Sequence, residues 1–339
     1  MIEIDGSFGS GSGQILRTAG ALAAATKKTC RIFNIRQNRP EPGLAFQHLL
    51  GIRALAELCG GSLKGDFLRS QEIEFQPSQT RKDAISIDIP TAGSIALVLQ
   101  GLIPAVLSAP FPVKIVFQGG ATDTFFSPTF DYFRSVFLKI LETAGVKIEI
   151  KVLKRGYYPE GGAKVEVKIF PSKLKRLNFL DRGGFKKVLI ISGASTALSD
   201  KKVSERQISG VKEILGKLKL PLEEKTEYYE TQSPGSHVCL IAEYENALLG
   251  ADNLGKLGKR AEDVGKEAAL KLLSEEKSGA CLDQYMADQI LPYMALSSVK
   301  SQVVVSEITE HCRTNIWTIE KFLPGKFEIK GNLIKWLPF

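Results

Sequence analysis

The sequence predicts an α/β protein, with an α+β mixture of strand directions, in which one unit recurs three times and a smaller segment is inserted. Three observations carry this. An apolar helix opened by small residues and followed by a strand and a polar turn occurs at three places. Residues 146–169 alternate in the two-residue period of a hairpin. Residues 183–277 show enough helix and strand pattern to bury a core of their own.

The first unit runs from Gly11, in the glycine-rich run GSFGSGSGQ at residues 6–14, through ILRTAGALAAAT into CRIFNIR, and ends at Arg36-Gln37-Asn38-Arg39-Pro40. The second starts at Thr91-Ala92-Gly93, continues through IALVLQGLIPAVL and VKIVF, and ends at Gln118-Gly119-Gly120. Its uncharged stretch, Ile89 to Val113, contains Pro90, Pro104, Pro110, Pro112 and Gln100, so it reads as a buried helix and strand and not a membrane span. The third runs from Gly279 through DQYMADQILPYMAL and QVVVSEI to Glu310-His311-Cys312. Within residues 183–277 the order reads strand (VLIISG), helix (VSERQISGVKEILGKL), strand (EKTEYYET), strand (VCLIAEYE) and helix (RAEDVGKEAALKLLSEE). The expected division is 1–182 with 278–339 as the larger domain, interrupted by 183–277.

Composition bounds the class. With 339 residues, 44% hydrophobic and 24% charged, the chain is ordinary globular material. Five scattered cysteines without a CxxC pair speak against a metal cluster or a disulfide framework, and point to a reducing cytoplasm. The N-terminus carries acids and glycines where a signal peptide would have bases and an apolar run. The net charge of +8 is mild for nucleic-acid binding, and it is local: residues 147–187 hold 12 basic and 4 acidic side chains. A solvated sheet face explains that segment best, with a phosphate-attracting surface as the lesser reading.

Only three histidines are present, His48, His237 and His311. His237, in SPGSHV, reads as a packing residue. His311 stands out because it follows VVVSEI and precedes the amphipathic helix IWTIEKFL. Thr314 or Asn315 is the expected cap of that helix, with free backbone N–H groups near the imidazole. A neutral imidazole there is suited to attack phosphorus and form a covalent intermediate. The loop GSFGSGSGQ lacks both the GK[ST] of a Walker A loop and GxGxxG spacing, so a tight turn is its plainest reading. Arg17, Arg36 and Arg39, with Gln47 and His48 opening the next helix, suit a terminal phosphate, since guanidinium groups grip phosphate oxygens bidentately. Separate surface salt bridges are the equal alternative.

Taken together, IDGSFGSGSGQILR (4–17), RQNRPEPGLAFQHL (36–49), TAGSIALVLQGLIPA (91–105), QGGATD (118–123), RGYYPEGGA (155–163), GADNLGKLGKRAEDVG (250–265), DQYMADQILPYMAL (283–296) and HCRTN (311–315) resemble the RNA 3′-terminal phosphate cyclase family in collinear order. The resemblance implies three repeated units, each a four-stranded sheet with two helices, related to the enolpyruvate transferases, with a smaller α/β domain inserted before the last. It implies ATP-dependent conversion of an RNA 3′-phosphate to a 2′,3′-cyclic phosphate through a histidine–AMP adduct and an RNA–adenylate anhydride.

By position, His311 matches the adenylylated nucleophile. Tyr285, Met286, Ala287, Asp288, Gln289 and Gln100 match the nucleotide-binding set, with Tyr285 placed to stack on adenine and Pro128 on its other face. Arg17, Arg39, Gln47 and His48, with Arg36, match the set for the RNA terminal phosphate. The implied partners are RNA 3′ ends, ATP and a divalent cation (Mg or Mn), with no membrane; the oligomeric state stays open, a homodimer being one candidate. Ser10 stands where the family pattern G-E-G-G-G-Q has glutamate, and Ala163 replaces the third glycine of RGxxPxGGG, so no metal ligand is assigned. A related class, cyclase-like factors of ribosome biogenesis acting in rRNA processing, lacks the histidine; His311 and the Tyr285–Gln289 run favour catalysis. An enolpyruvate transferase would leave HCRTN without a role.

Overall fold

The computed structural model describes residues 1–79 and 81–339. It is a mixed α/β architecture of four four-stranded sheets and their helices. In chain order the elements are β1 (Ile2–Asp5), α1 (Gly13–Thr26), β2 (Cys30–Phe33), α2 (Phe46–Cys59), β3 (Ser62–Lys64), β4 (Ile73–Gln76), β5 (Ala84–Ser94), α3 (Ile95–Val106) and β6 (Val113–Ala121). There follow α4 (Phe130–Tyr132), continued by a π turn into α5 (Leu138–Thr143), then β7 (Ile148–Lys154), β8 (Lys164–Ile169), β9 (Asn178–Phe179), β10 (Phe185–Ser195), α6 (Val203–Leu215), β11 (Leu222–Tyr229), β12 (Ser236–Tyr244), β13 (Leu248–Leu254) and α7 (Ala261–Lys277). The chain closes with α8 (Gln284–Gln289), α9 (Leu291–Leu296), β14 (Ser301–Val304), α10 (Glu310–Phe322), β15 (Gly325–Lys330) and β16 (Leu333–Pro338).

Three sheets share one plan. Their orders are β1-β2-β4-β3, β5-β6-β8-β7 and β9-β14-β16-β15, and in each the first two strands are parallel while the other pairs are antiparallel. A parallel pair requires a crossover, and α1 and α3 supply it in the first two. The third departs from the expectation that the inserted segment precedes the last unit. β9 belongs to the third sheet but lies before residue 183, so the segment enters that sheet between its first and second strands.

The remaining sheet, β11-β10-β12-β13, has a different order and contains a fourth strand, β13, that alternation did not reveal. Residues such as Ile190, Val211, Leu240, Leu249, Val264 and Leu272 form a hydrophobic cluster of its own, separate from the large cluster shared by the other three sheets. Its two helices approach closely because both carry glycine at the crossing. A Cβ on Gly210 would come 2.0 Å from the Glu262 carbonyl oxygen, and one on Gly265 would come 1.9 Å from that of Gln207.

A buried ionic joint ties this sheet to the rest. Arg155, 3% exposed, donates to both Asp131 carboxylate oxygens at 2.7 Å and to Asp123 at 3.1 Å. His237 Nε2 lies 2.7 Å from Asp131, and its Nδ1 lies 2.9 Å from the Tyr157 hydroxyl. His237 is therefore a fully buried strand residue of β12 and not a loop residue. Arg155 is one of the basic residues counted in 147–187, and here its charge is consumed internally. The β7–β8 hairpin otherwise keeps Lys151, Lys154, Lys164 and Lys168 exposed, as a solvated face.

All five cysteines are free and buried. Among the described residues no helix is long and apolar enough to cross a membrane.

Candidate active site

The glycine-rich loop, the start of α1 and the start of α10 meet at one place. Ser12 caps α1, its hydroxyl accepting from Gln14 N at 3.3 Å. Gly9 and Gly11 take left-handed backbone (φ +52° for each), which only glycine adopts without strain. A Cβ on Gly9 would come 2.4 Å from Thr314 Oγ1, so glycine lets the loop lie directly on α10. Ser10 N donates to the same oxygen at 3.3 Å. The loop is thus a fitted surface and more than a loose turn.

The α10 helix begins earlier than its apolar pattern suggested. Thr309 is the cap, its hydroxyl accepting from Cys312 N at 3.2 Å, and His311 lies in the first turn. Thr314 and Asn315 are therefore interior helix residues and not caps. Thr314 donates to the Glu310 carbonyl, while Asn315 accepts from Thr18 at 2.8 Å and donates to the Asp288 carbonyl at 2.9 Å. Thr314 also accepts from Ser10 in the glycine-rich loop, and Asn315 bonds both α1 and α8, which explains polar residues on a buried helix face.

His311 is exposed, and its Nδ1 is hydrogen-bonded to Gln14 Oε1. Partial burial, then the charges of Arg17 and Arg39, hold its pKa below the usual histidine value. Its resting form near neutral pH is the uncharged imidazole, the form a nucleophile needs. Gln14 in turn donates to Asp288 Oδ2 at 2.5 Å. Burial pushes the Asp288 carboxyl up to about 7, with Arg17 opposing that rise.

Arg17 lines two hollows. One is lined in part by Gln47, His48, Leu97 and Gly101; the other by Gln100, Asp288, Gln289, Tyr293 and Asn315. Of the residues matched to the RNA phosphate, Gln47 and His48 border the first, and of those matched to the nucleotide, Gln100, Asp288 and Gln289 border the second. Burial lowers the Arg17 pKa, with Asp288 opposing. Gln100 donates to Gln289 Oε1 at 2.8 Å, closing the second hollow.

His48 packs against Gly13 so tightly that a Cβ there would lie 1.8 Å from His48 Nε2. Its Nδ1 is buried without a hydrogen-bond partner, and burial, then Arg36 and Arg17, lowers its pKa to about 3. Gln47 Oε1 accepts from Ser94 N at 3.4 Å. Arg36 donates to the Gly43 carbonyl at 2.9 Å, and Arg39 is exposed. Among the described residues, Arg17, Arg36 and Arg39 form no salt bridge, so the surface-pair alternative does not apply to them. Three cations outside any direct salt bridge, with Asp288 acting on Arg17 and Glu41 on Arg36 only at longer range, suit an anionic ligand.

The run Tyr285–Gln289 divides. The segment read as one helix breaks at Ile290 into α8 and α9, with Pro292 in the first turn of the second, where a missing N–H costs nothing. Tyr285 is 43% exposed and meets Tyr132 edge-on with ring centroids 6.5 Å apart. Pro128 is half-buried and immediately precedes Thr129, the cap of α4, which carries Tyr132. Met286 and Ala287, by contrast, are wholly buried in the core; their side chains serve packing and offer no surface to a nucleotide.

Asp283 was not singled out from sequence. Fully buried, it caps α8 through Tyr285 N and Met286 N, and it accepts from Tyr132 Oη at 2.6 Å and from Gly250 N at 2.9 Å. One carboxylate thus joins α8, α4 and the inserted sheet. Gln14 was also missed, although it lies inside the quoted loop motif; its role depends on a partner 297 positions away.

No group of three or more His, Cys, Asp or Glu side chains able to hold a metal ion occurs among the described residues.

A family profile described as RNA 3′-terminal phosphate cyclase matches residues 8–329. The chain is 44% identical to the RNA 3′-terminal phosphate cyclase of Pyrococcus abyssi over 99% of its own length and 97% of that protein's. It is also 44% identical to the proteins of that name from Pyrococcus furiosus, covering 98% and 96%, and from Ignicoccus hospitalis, covering 99% and 96%. A match of this extent shows that the chain belongs to the RNA 3′-terminal phosphate cyclase family.

Proposed function

We propose that this protein uses ATP to convert an RNA 3′-phosphate end to a 2′,3′-cyclic phosphate, with His311 as a covalent nucleophile. The observation that carries the reading is an exposed imidazole, held in its neutral form by partial burial and by the charges of Arg17 and Arg39.

In the first step the His311 Nε2 lone pair forms a bond to the α-phosphorus of ATP and pyrophosphate departs. An oxygen of the RNA 3′-phosphate then attacks that phosphorus, the N–P bond breaks, and AMP passes to the RNA end. Finally the adjacent 2′-OH attacks the activated 3′-phosphorus and AMP leaves. A phosphate monoester has no good leaving group, and adenylylation supplies one; the 2′-OH is already in reach, so closure gains from proximity.

Arg17, Arg36 and Arg39, with Gln47 and His48, are the proposed holders of the RNA phosphate. Gln100, Asp288 and Gln289, with Tyr285 and Pro128 about the base, are the proposed nucleotide site. The divalent cation is proposed to arrive on the triphosphate. We further read residues 1–182 with 278–339 as a catalytic domain of three repeats and 183–277 as an inserted domain. The shared strand orders and the separate cluster around Val211 and Leu240 support this division. The proposed compartment is the cytoplasm, in keeping with five unpaired cysteines.

A synthetic RNA bearing a 3′-phosphate tests the reading. With ATP its end should become resistant to phosphatase, and an otherwise identical strand with a terminal 2′-deoxy sugar should stop at the adenylate. An end that remains phosphatase-sensitive with ATP present overturns it.

A further inference from the structure

We propose that Gln14, itself oriented by Asp288, fixes His311 in the tautomer that carries its proton on Nδ1, leaving Nε2 bare as the attacking atom. Gln14 is on this view a positioning residue, and the proposal rests on the reading of His311 as nucleophile.

The Gln14 amide has one nitrogen, with two donors, and one oxygen that only accepts. Its nitrogen faces Asp288 Oδ2 at 2.5 Å and the His311 carbonyl oxygen at 3.4 Å. A carbonyl oxygen never donates, so the nitrogen belongs on that side whatever the protonation of Asp288. The amide oxygen is then the atom left to face His311 Nδ1. Two acceptors would repel there, so Nδ1 must carry the proton. Asp288 is held in its turn, its backbone carbonyl accepting from Asn315 and Arg17 lying nearby.

This arrangement suits group transfer at Nε2. When the Nε2 lone pair forms the bond to phosphorus and pyrophosphate leaves with the electrons of the broken P–O bond, the ring gains positive charge. The Nδ1 proton stays where it is, against the Gln14 oxygen, which stabilises that charge. When the RNA phosphate takes the AMP, the N–P electrons return to Nε2 and the starting tautomer is restored. No proton crosses the ring in either step.

The test uses the full-length protein with 15N-labelled histidine. With three histidines in the chain, His311→Ala assigns the remaining signals by difference. At pH 8 wild-type His311 should show a protonated Nδ1 and a bare Nε2, and Gln14→Leu should shift that balance toward Nε2–H. The rate of protein–AMP formation should fall roughly 100-fold or more in Gln14→Leu, with ATP KM changed by less than about 3-fold. Gln14→Glu keeps the acceptor but adds negative charge, which favours imidazolium, so its acid limb for protein–AMP formation should move to higher pH. A merely structural glutamine would leave the His311 tautomer balance of Gln14→Leu as in wild type. Predominant Nε2–H in wild type, or an unmoved limb in Gln14→Glu, overturns the proposal. If wild type shows the Nδ1–H form but never takes up AMP, the tautomer assignment stands and the nucleophile reading falls.

Discussion

The ring of Phe8 stacks on that of Trp317, with centroids 4.2 Å apart and planes inclined by 14°. Phe8 sits in the glycine-rich loop, and Trp317 lies on α10, the helix that carries His311. The stack therefore clamps a loop with two left-handed glycines against the helix bearing the proposed nucleophile. Phe8→Ala should remove about 0.5–1.5 kcal/mol of ring–ring interaction beyond burial. The expected result is an ATP KM several-fold higher with a small change in Tm. Tryptophan emission checks the geometry, since Trp336 is buried and Trp317 is the loop's reporter; ATP should perturb wild-type emission more than that of Phe8→Ala.

Gly13 is at the start of α1 with backbone that alanine also adopts, yet a Cβ there would strike the His48 ring. Gly13→Ala should displace His48 and leave the glutamine relay largely in place. The prediction is about a 10-fold rise in KM for the 3′-phosphorylated RNA, with protein–AMP formation changed by less than about 3-fold. Steady-state kinetics against each substrate separates the two.

The pH dependence follows from His311. Its folded pKa is lowered by partial burial and by Arg17 and Arg39, and the reactive form is the neutral one. Protein–AMP formation should hold steady as pH falls through the ordinary histidine range near 6.5, and decline only below it. Arg39→Ala removes one opposing charge, so its acid limb should move up toward the ordinary value. A pH–rate profile of the single-turnover step reads both.

Arg155→Met tests the joint between the inserted sheet and the remainder. It leaves Asp123 and Asp131 buried without the guanidinium that offsets them, a loss of about 3–5 kcal/mol. Thermal unfolding should show a large drop in Tm. The carboxyl of Asp131 is held well below the usual carboxylate range, burial opposing and Arg155 with His237 prevailing. Its contribution is therefore present at neutral pH and lost only as pH falls through that depressed value, so mild acid should not mimic the variant.

What the sequence disclosed, and what it withheld, divides along the reach of the interaction. Local periodicity placed α1, α3 and the β7–β8 hairpin, because an apolar stripe or an alternating face is written within a few residues. The fourth strand of the inserted sheet, β13, escaped because Leu248–Leu254 mixes glycine, aspartate and asparagine, and is held by pairing with β12. The early start of α10 escaped because Thr309 caps it while the apolar stripe begins only at Ile316. The site residues Arg17, Gln47, His48 and Asp288 could be named from motifs. That Arg17 lines two hollows, that Asp283 ties three elements, and that Gln14 reaches His311 are facts of chain-distant packing, invisible to any local pattern.

The most direct measurement of the central claim is incubation of the protein with α-labelled ATP and a divalent cation. The account predicts one covalently bound AMP on His311, labile to acid and stable to base, discharged by RNA with a 3′-phosphate and absent in His311→Ala. Label that persists in a folded His311→Ala protein, or a wild type that binds such RNA yet never takes up label, would contradict it.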